Sequence, residues 1–362
     1  MGNIFKCLFC IMNMKKRGGG SSETLNVVSF FSGCGGLDLG FERAGFNIVL
    51  ANDFWEPAAN TFKHNFPNTE FIFEDIKNLT KKKLLETLKK KNINKIHVVI
   101  GGPPCQCFTR LNNNNLRRDD ERNQLFRDYL RMIKFLKPDF VVMENVADLL
   151  LRRDTKNRPF KKLISSSFKN LGYNVSYKVF ETEKYGVPQR RRRVIFLATN
   201  KDINLGFPNE SGKIATAGKF LKRIKNLKNP KNNEITQSGP EVVKRMKHIP
   251  QGGYYENLPE KLKVKKVRNG KLVVVKRYGS YLRRIKNDEP CVTITNNYIV
   301  HPEEDRFLTN REKAALHTFP SSFEFCGVLG SVSQQIANAV PPEFARRIAN
   351  HIKKHCPPQI NS

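Results

Sequence analysis

The run Val98-Val99-Ile100 breaks into Gly101-Gly102-Pro103-Pro104, and Cys105 follows at once. Three β-branched residues in a row favour extended backbone, and an apolar run this short reads as a strand covered on both faces. Strands of that kind belong to parallel sheets, which need helical crossovers between them. The rest of the first 200 residues supplies them. Residues 26–31, 46–51, 70–73 and 140–143 read as further strands, and 173–181 with 193–198 as a strand pair. Residues 38–44, 81–91, 124–136 and 159–170 read as helices, the second with a mostly solvated basic face. The fold class is therefore α/β, a doubly wound and mostly parallel sheet, with a second, smaller basic domain after it.

Open sheets of this kind bind ligands at the carboxyl ends of their strands. Reactive residue types gather at those positions here. The first strand leads into Ser32-Gly33-Cys34-Gly35-Gly36 and then a helix, a corner suited to a nucleotide-like ligand. The spacing is neither Gly-x-Gly-x-x-Gly nor a P-loop, and a tight structural turn explains it equally well. Asp53 ends the second strand, where an acid accepts hydrogen bonds from ribose hydroxyls, and Phe54 is placed to stack on a purine. Glu74-Asp75-Ile76 ends the third strand and Glu144-Asn145-Val146 the fifth. Acids at such positions are also common helix N-caps. Together with the glycine turn, the first two acids suit a nucleoside without phosphates. Cys105 taken alone reads as a free buried thiol, the usual state of that residue.

Charge narrows the partners. The 362 residues carry 64 Lys and Arg against 33 Asp and Glu, a formal +31. Such a surplus suits a polyanion, nucleic acid above all, although a lysine- and asparagine-rich composition supplies part of it. No apolar run reaches membrane-spanning length, so no membrane association is expected. Eight scattered cysteines form no framework, which predicts free thiols in a reducing, intracellular compartment. Cys7-x-x-Cys10 has no second pair, so no metal site is expected. Residues 1–25 read as a flexible extension ending in Gly18-Gly19-Gly20-Ser21-Ser22. Met1-Gly2 faintly suggests acylation, but Lys6 stands where Ser or Thr is required.

Six short blocks, in order, resemble the motifs of the cytosine-5 DNA methyltransferases. They are Phe31-Ser32-Gly33-Cys34-Gly35-Gly36, Pro104-Cys105-Gln106, Glu144-Asn145-Val146, Gln189-x-Arg191-x-Arg193, residues 309–320 with Phe319-Pro320, and Gln335-Ile336-Ala337-Asn338-Ala339-Val340. The similarity spans residues 26 to 355 with a divergent stretch between. Cys107, Thr109 and Ala337 depart from the usual residues, and none of these changes removes a reacting group.

The resemblance implies a class I methyltransferase-like sheet and S-adenosylmethionine as methyl donor. It places Cys105 as the nucleophile at cytosine C6, Glu144 at N3, Arg193 at O2 and Arg191 in support. It places Phe31, Gly33, Gly35, Gly36, Asp53, Phe54, Asp75, Pro104, Asn338 and Val340 around the donor. A cytosine inside a duplex is unreachable, so the base must be flipped out. The implied organisation is a catalytic domain over 26–200, a target recognition domain over 201–300 and a segment over 301–362 that completes the first. Residues 201–290 hold 22 Lys and Arg against 8 Asp and Glu, which suits phosphate contact. Duplex DNA is the expected partner, the protein is expected to be a monomer, and a cognate restriction endonuclease belongs with such a system. The alternatives are a tRNA cytosine-5 methyltransferase, whose Phe-Thr-Arg after Pro-Cys-Gln matches Phe108-Thr109-Arg110, and a DNA-binding relative without catalysis.

Overall fold

A computed structural model describes residues 24–104, 122–153, 157–268, 270–275, 281–296 and 298–356. The expectations for the N-terminal extension before residue 24 and for Cys105, Cys107 and Thr109 lie outside the described residues, as does the polar run 111–120.

The first elements alternate as the apolar pattern requires: β1 (Asn26–Phe30), α1 (Gly36–Arg43), β2 (Asn47–Asp53), α2 (Glu56–Asn65), β3 (Glu70–Phe73), α3 (Lys81–Lys90), β4 (Val98–Gly101), α4 (Arg122–Leu136) and β5 (Phe140–Val146). Then come α5 (Phe160–Asn170), β6 (Asn174–Glu181) and β7 (Arg192–Thr199). These seven strands form one sheet in the order β3-β2-β1-β4-β5-β7-β6. β1 to β5 run parallel, and β7 lies antiparallel between β5 and β6. The fold is that of a class I methyltransferase.

Strand alternation feeds two apolar layers. Val27, Val98, Ile100, Val142, Ile195 and Leu197 enter one, with α1 residues Leu37 and Phe41. Val28, Val99, Val141, Met143, Val194 and Phe196 enter the other, with Leu84 and Leu88 of α3, Tyr129 and Ile133 of α4, and Phe168 of α5. Each such side chain contributes about 1.5–3 kcal/mol on burial, so the core offsets a heavily charged surface.

Several strand ends differ from the sequence expectation, among them β2, which runs on to Asp53. β1 stops at Phe30 because Phe31 takes φ +54°, a left-handed conformation that ends the ladder. β5 runs three residues past Met143, so Glu144 and Asn145 belong to the strand itself, held by pairing with β7.

Beyond the sheet lie α6 (Ala217–Lys225), α7 (Pro240–Met246), the hairpin of β8 (Lys265–Arg268) and β9 (Lys271–Val274), and the short pair β10 (Arg283–Arg284) and β11 (Ile299–Val300). A small separate core gathers Met246, Ile249, Tyr255, Leu258, Leu282, Val300 and Phe307. The buried Arg284 guanidinium pins it by donating to the carbonyls of Ile249, Met246 and His301 and to Asp305 at 2.6 Å.

The chain then returns through α8 (Asn310–Leu316), α9 (Leu329–Asn338) and α10 (Pro342–Lys353). Thr309 and Glu312 cap α8 reciprocally. α10 lies against α1, where Gly40 allows the close approach: a methyl group there would run into the Ala345 side chain and sit 2.7 Å from the Arg346 nitrogen. Among the described residues, no helix is long and apolar enough to cross a membrane.

Candidate active site

The turn after β1 and the end of β2 build one corner. Asp53 accepts from the Gly33 nitrogen at 2.8 Å through Oδ2. Its Oδ1 accepts from the Phe54 and Trp55 nitrogens at 2.8 and 2.9 Å. Burial pushes this carboxyl above the ordinary range, and the three N–H groups oppose the shift. The acid therefore clamps two loops together. Phe54 beside it is 56 % exposed, which leaves its ring free to stack. Phe31, in its strained conformation, carries the chain over the sheet edge into the turn.

The ends of β4, β5 and β7 build a second corner. In the β5–β7 register Glu144 faces Ile195 and Val146 faces Arg193, so Glu144 and Arg193 lie diagonally on one face. Arg193 Nε meets Glu144 Oε1 at 2.8 Å, and both side chains are largely buried. Burial works against the Arg193 charge, and the Glu144 carboxylate opposes that shift. Asn145 donates to the Pro103 carbonyl at 2.9 Å and fixes the turn that leads to Pro104. Gly102 lets the acid settle: a methyl group there would come within 3.2 Å of Glu144 Oε2.

The C-terminal part of the chain closes the space between the corners. Gln334, Gln335, Asn338, Ala339 and Val340 line it, and Gly36 admits the Val340 carbonyl against α1. The resulting cavity has a volume of about 690 Å³.

Of the residues singled out in the sequence, the cavity brings together Phe31, Gly33, Gly36, Asp53, Phe54, Pro104, Glu144, Arg193, Asn338 and Val340. Gly35, Asp75 and Arg191 do not line it. Gly35 takes φ +91° at the start of α1, and Asp75 accepts from the Lys77 nitrogen at 3.0 Å. Arg191 is buried behind the cavity and donates to the Ala337 and Ala339 carbonyls at 2.7 and 3.1 Å. Cys105 is the residue after Pro104 and lies outside the described residues.

The sequence reading missed Trp55, Gln334 and the clamp at Asn145. It also missed Gln335, whose buried Oε1 has no hydrogen-bond partner among the described residues. Trp55 was signalled as the chain's single tryptophan beside Asp53-Phe54.

Behind the glycine turn, Asp38 is fully buried, and among the described residues neither carboxyl oxygen has a hydrogen bond of good geometry. Burial raises its pKa from 3.8 to about 7 against the opposing pull of the Ser29 hydroxyl, with smaller contributions from the charges of Glu42 and Asp53. A folded-state pKa above the unfolded one means that folding takes up a proton between those values. Stability therefore falls as pH rises from about 4 to about 7, and the full cost is present above that window. Asp38→Asn is expected to be more stable than the unaltered protein by roughly 1–3 kcal/mol at pH 8, with the gap closing toward pH 4. Thermal denaturation across that range checks it, and a gap independent of pH would remove Asp38 as the cause.

The sheet order and the site define an α/β methyltransferase. Residues 25–354 match the family model described as C-5 cytosine-specific DNA methylase. The type II methyltransferase M1.HphI of Haemophilus parahaemolyticus is 34 % identical over 340 residues, covering 91 % of this chain and 87 % of its own. M.MthTI of Methanothermobacter thermautotrophicus is also 34 % identical over 340 residues, covering 91 % and 97 %. A solved Escherichia coli structure, assigned as a prophage-encoded DNA modification methyltransferase, superposes with a TM-score of 0.71 at 25 % identity, covering 91 % and 99 %. The chain belongs to the C-5 cytosine-specific DNA methylase family, and its activity class is DNA (cytosine-5-)-methyltransferase.

Proposed function

We propose that the protein methylates C5 of a cytosine flipped out of a specific duplex DNA sequence, with S-adenosylmethionine as donor and Cys105 as nucleophile. The observation that carries this reading is the single cavity that joins the Asp53–Gly33 clamp to the Glu144–Arg193 pair and to Pro104.

The residues present fit the donor. Asp53 stands where ribose hydroxyls need acceptors, Phe54 offers a ring for the purine, and the orphaned Gln335 Oε1 awaits a donor group. Nothing lies within 4 Å of where a Gly33 side chain would be, which leaves room beside the turn. When bound, the sulfonium supplies an electrophilic methyl group.

The remaining chemistry falls to the chain. Cytosine C5 is a poor nucleophile until a thiolate adds at C6 and makes it enamine-like. Cys105 supplies that thiolate, the ionised form being the nucleophile. As density moves to N3, the Glu144 carboxylic acid, carrying a proton on the oxygen turned to the base, donates to N3 and stabilises the adduct. Arg193 orients Glu144 through Nε and presents its guanidinium to O2. After C5 is methylated its proton passes to solvent water, the C5–H electrons re-form the C5–C6 double bond, and the C6–S bond breaks with its pair returning to the Cys105 sulfur.

In this reading residues 26–200 and 301–362 form the catalytic unit and 201–300 read the target, with a basic surplus directed at phosphates. Asp75 and Gly35 contribute from the margin of the donor site, and Arg191 supports it from behind. The enzyme acts as a monomer inside the cell, in contact with DNA. The type II relatives point to a cognate restriction endonuclease as a further partner.

The test is a methyl-transfer assay with labelled S-adenosylmethionine on amplified bacterial duplex DNA and, separately, on tRNA. Label is expected in duplex DNA at one recurrent cytosine context, located by bisulfite sequencing. Label in tRNA alone would move the protein to RNA modification, and label in neither would sink catalysis.

A further inference from the structure

His317 follows α8, is fully buried, and was not singled out by its sequence neighbourhood. Its ring closes a hydrogen-bonded circuit through three distant parts of the chain. Gln189 Oε1 accepts from the Ile294 nitrogen at 3.0 Å, which fixes the orientation of that amide. The Gln189 amide nitrogen then meets His317 Nδ1 at 2.8 Å. On the far side of the ring, His317 Nε2 meets the Ala339 carbonyl at 2.9 Å. Arg191 completes the circuit, donating to that same carbonyl at 3.1 Å and to the Ile294 carbonyl at 3.3 Å.

The donors and acceptors leave one assignment for the imidazole. A carbonyl only accepts, so Nε2 carries the proton, and an amide N–H only donates, so Nδ1 is bare. The ring is neutral. Burial and the neighbouring Arg191 and Arg193 guanidiniums hold its pKa well below 6.5, in keeping with that state. Protonation would set two donors face to face and add a cation beside two others.

The circuit joins the target-reading segment to the methyl-donor wall. Ile294 closes the basic insert, and both its backbone groups are held. Ala339 lies between Asn338 and Val340, and all three line the donor cavity. We propose that His317 is a positioning residue that sets the 338–340 turn for the methyl donor and transmits engagement of DNA by the insert to that turn. The proposal rests on the donor reading of the cavity and on the target-reading role of residues 201–300 given above.

Calorimetric titration of S-adenosylhomocysteine into the full chain tests it, with and without saturating amplified bacterial DNA. DNA is expected to tighten binding several-fold in the unaltered protein. His317→Leu removes both ring contacts. It is expected to weaken binding about tenfold or more and to abolish the DNA effect, while kcat at saturating donor changes by less than about threefold. His317→Gln restores one acceptor and one donor and is expected to return both constants to within about threefold of the unaltered values. If His317→Leu does not fold, Gln189→Leu breaks the same circuit one link away and is held to the same outcome. Unchanged binding and an intact DNA effect in the folded Leu variant would overturn the proposal alone. Failure of the unaltered protein to bind S-adenosylhomocysteine would overturn the donor reading, and the proposal with it.

Discussion

Duplex DNA carrying 5-fluorocytosine at a methylated position is expected to become covalently attached to this protein, in a bond that survives denaturing electrophoresis. The proposed mechanism demands it. The C6 adduct is released only when the C5 proton leaves, and fluorine cannot leave as a proton. Attachment is expected to require S-adenosylmethionine, because methylation makes the adduct permanent. Cys105→Ser is expected to show no attachment and no turnover, since a hydroxyl has far too little anion at neutral pH to replace a thiolate. Cys107 is the internal control, and Cys107→Ala is expected to remain trapped. Attachment that survives in Cys105→Ser and disappears in Cys107→Ala would transfer the nucleophile's role to Cys107.

Glu144→Gln is expected to lower kcat by about 10²–10⁴ while leaving the constant for the donor within about twofold. The contact that holds Glu144 makes this substitution informative. A glutamine oxygen still accepts from Arg193 Nε, whose present distance to Glu144 is 2.8 Å, so the pair's geometry persists and only the acid is removed. Glu144→Ala would instead strand a buried guanidinium at a cost of about 3–5 kcal/mol, confusing stability with chemistry. Single-turnover rates beside donor titration separate these effects. Turnover near the unaltered rate would take Glu144 out of the reaction.

Much of the catalytic half is legible in the sequence because its physics is local. β-branched runs of the right length, such as Val98-Val99-Ile100, can scarcely be anything but buried strands. Acids at strand ends then fall on one sheet edge by topology, which is how Asp53 and Glu144 come to share a cavity. Topology alone does not aim a side chain, and Asp75, at an equivalent position, turns to its own backbone instead. The C-terminal contribution has two parts. Asn338 and Val340 were reached only by resemblance. The orphaned oxygen of Gln335 and the bonds from Arg191 and His317 to Ala339 are backbone-directed or unpaired contacts that leave no periodic trace. The extension of β5 through Glu144 was hidden for a related reason: its pairing partner, β7, lies beyond another helix and strand.

The packing of α10 on α1 sets a timetable for synthesis. The ribosome makes α1 before the rest of the sheet and α10 after almost everything else. At roughly 5–20 residues per second, the interval between them is some tens of seconds. Throughout it the Gly40 face lacks α10 and the cavity lacks its Gln335–Val340 wall. A growing chain can therefore complete its sheet while one side of the cavity is still open. The cavity closes only with the last two helices, so an interrupted chain holds the sheet without the finished site.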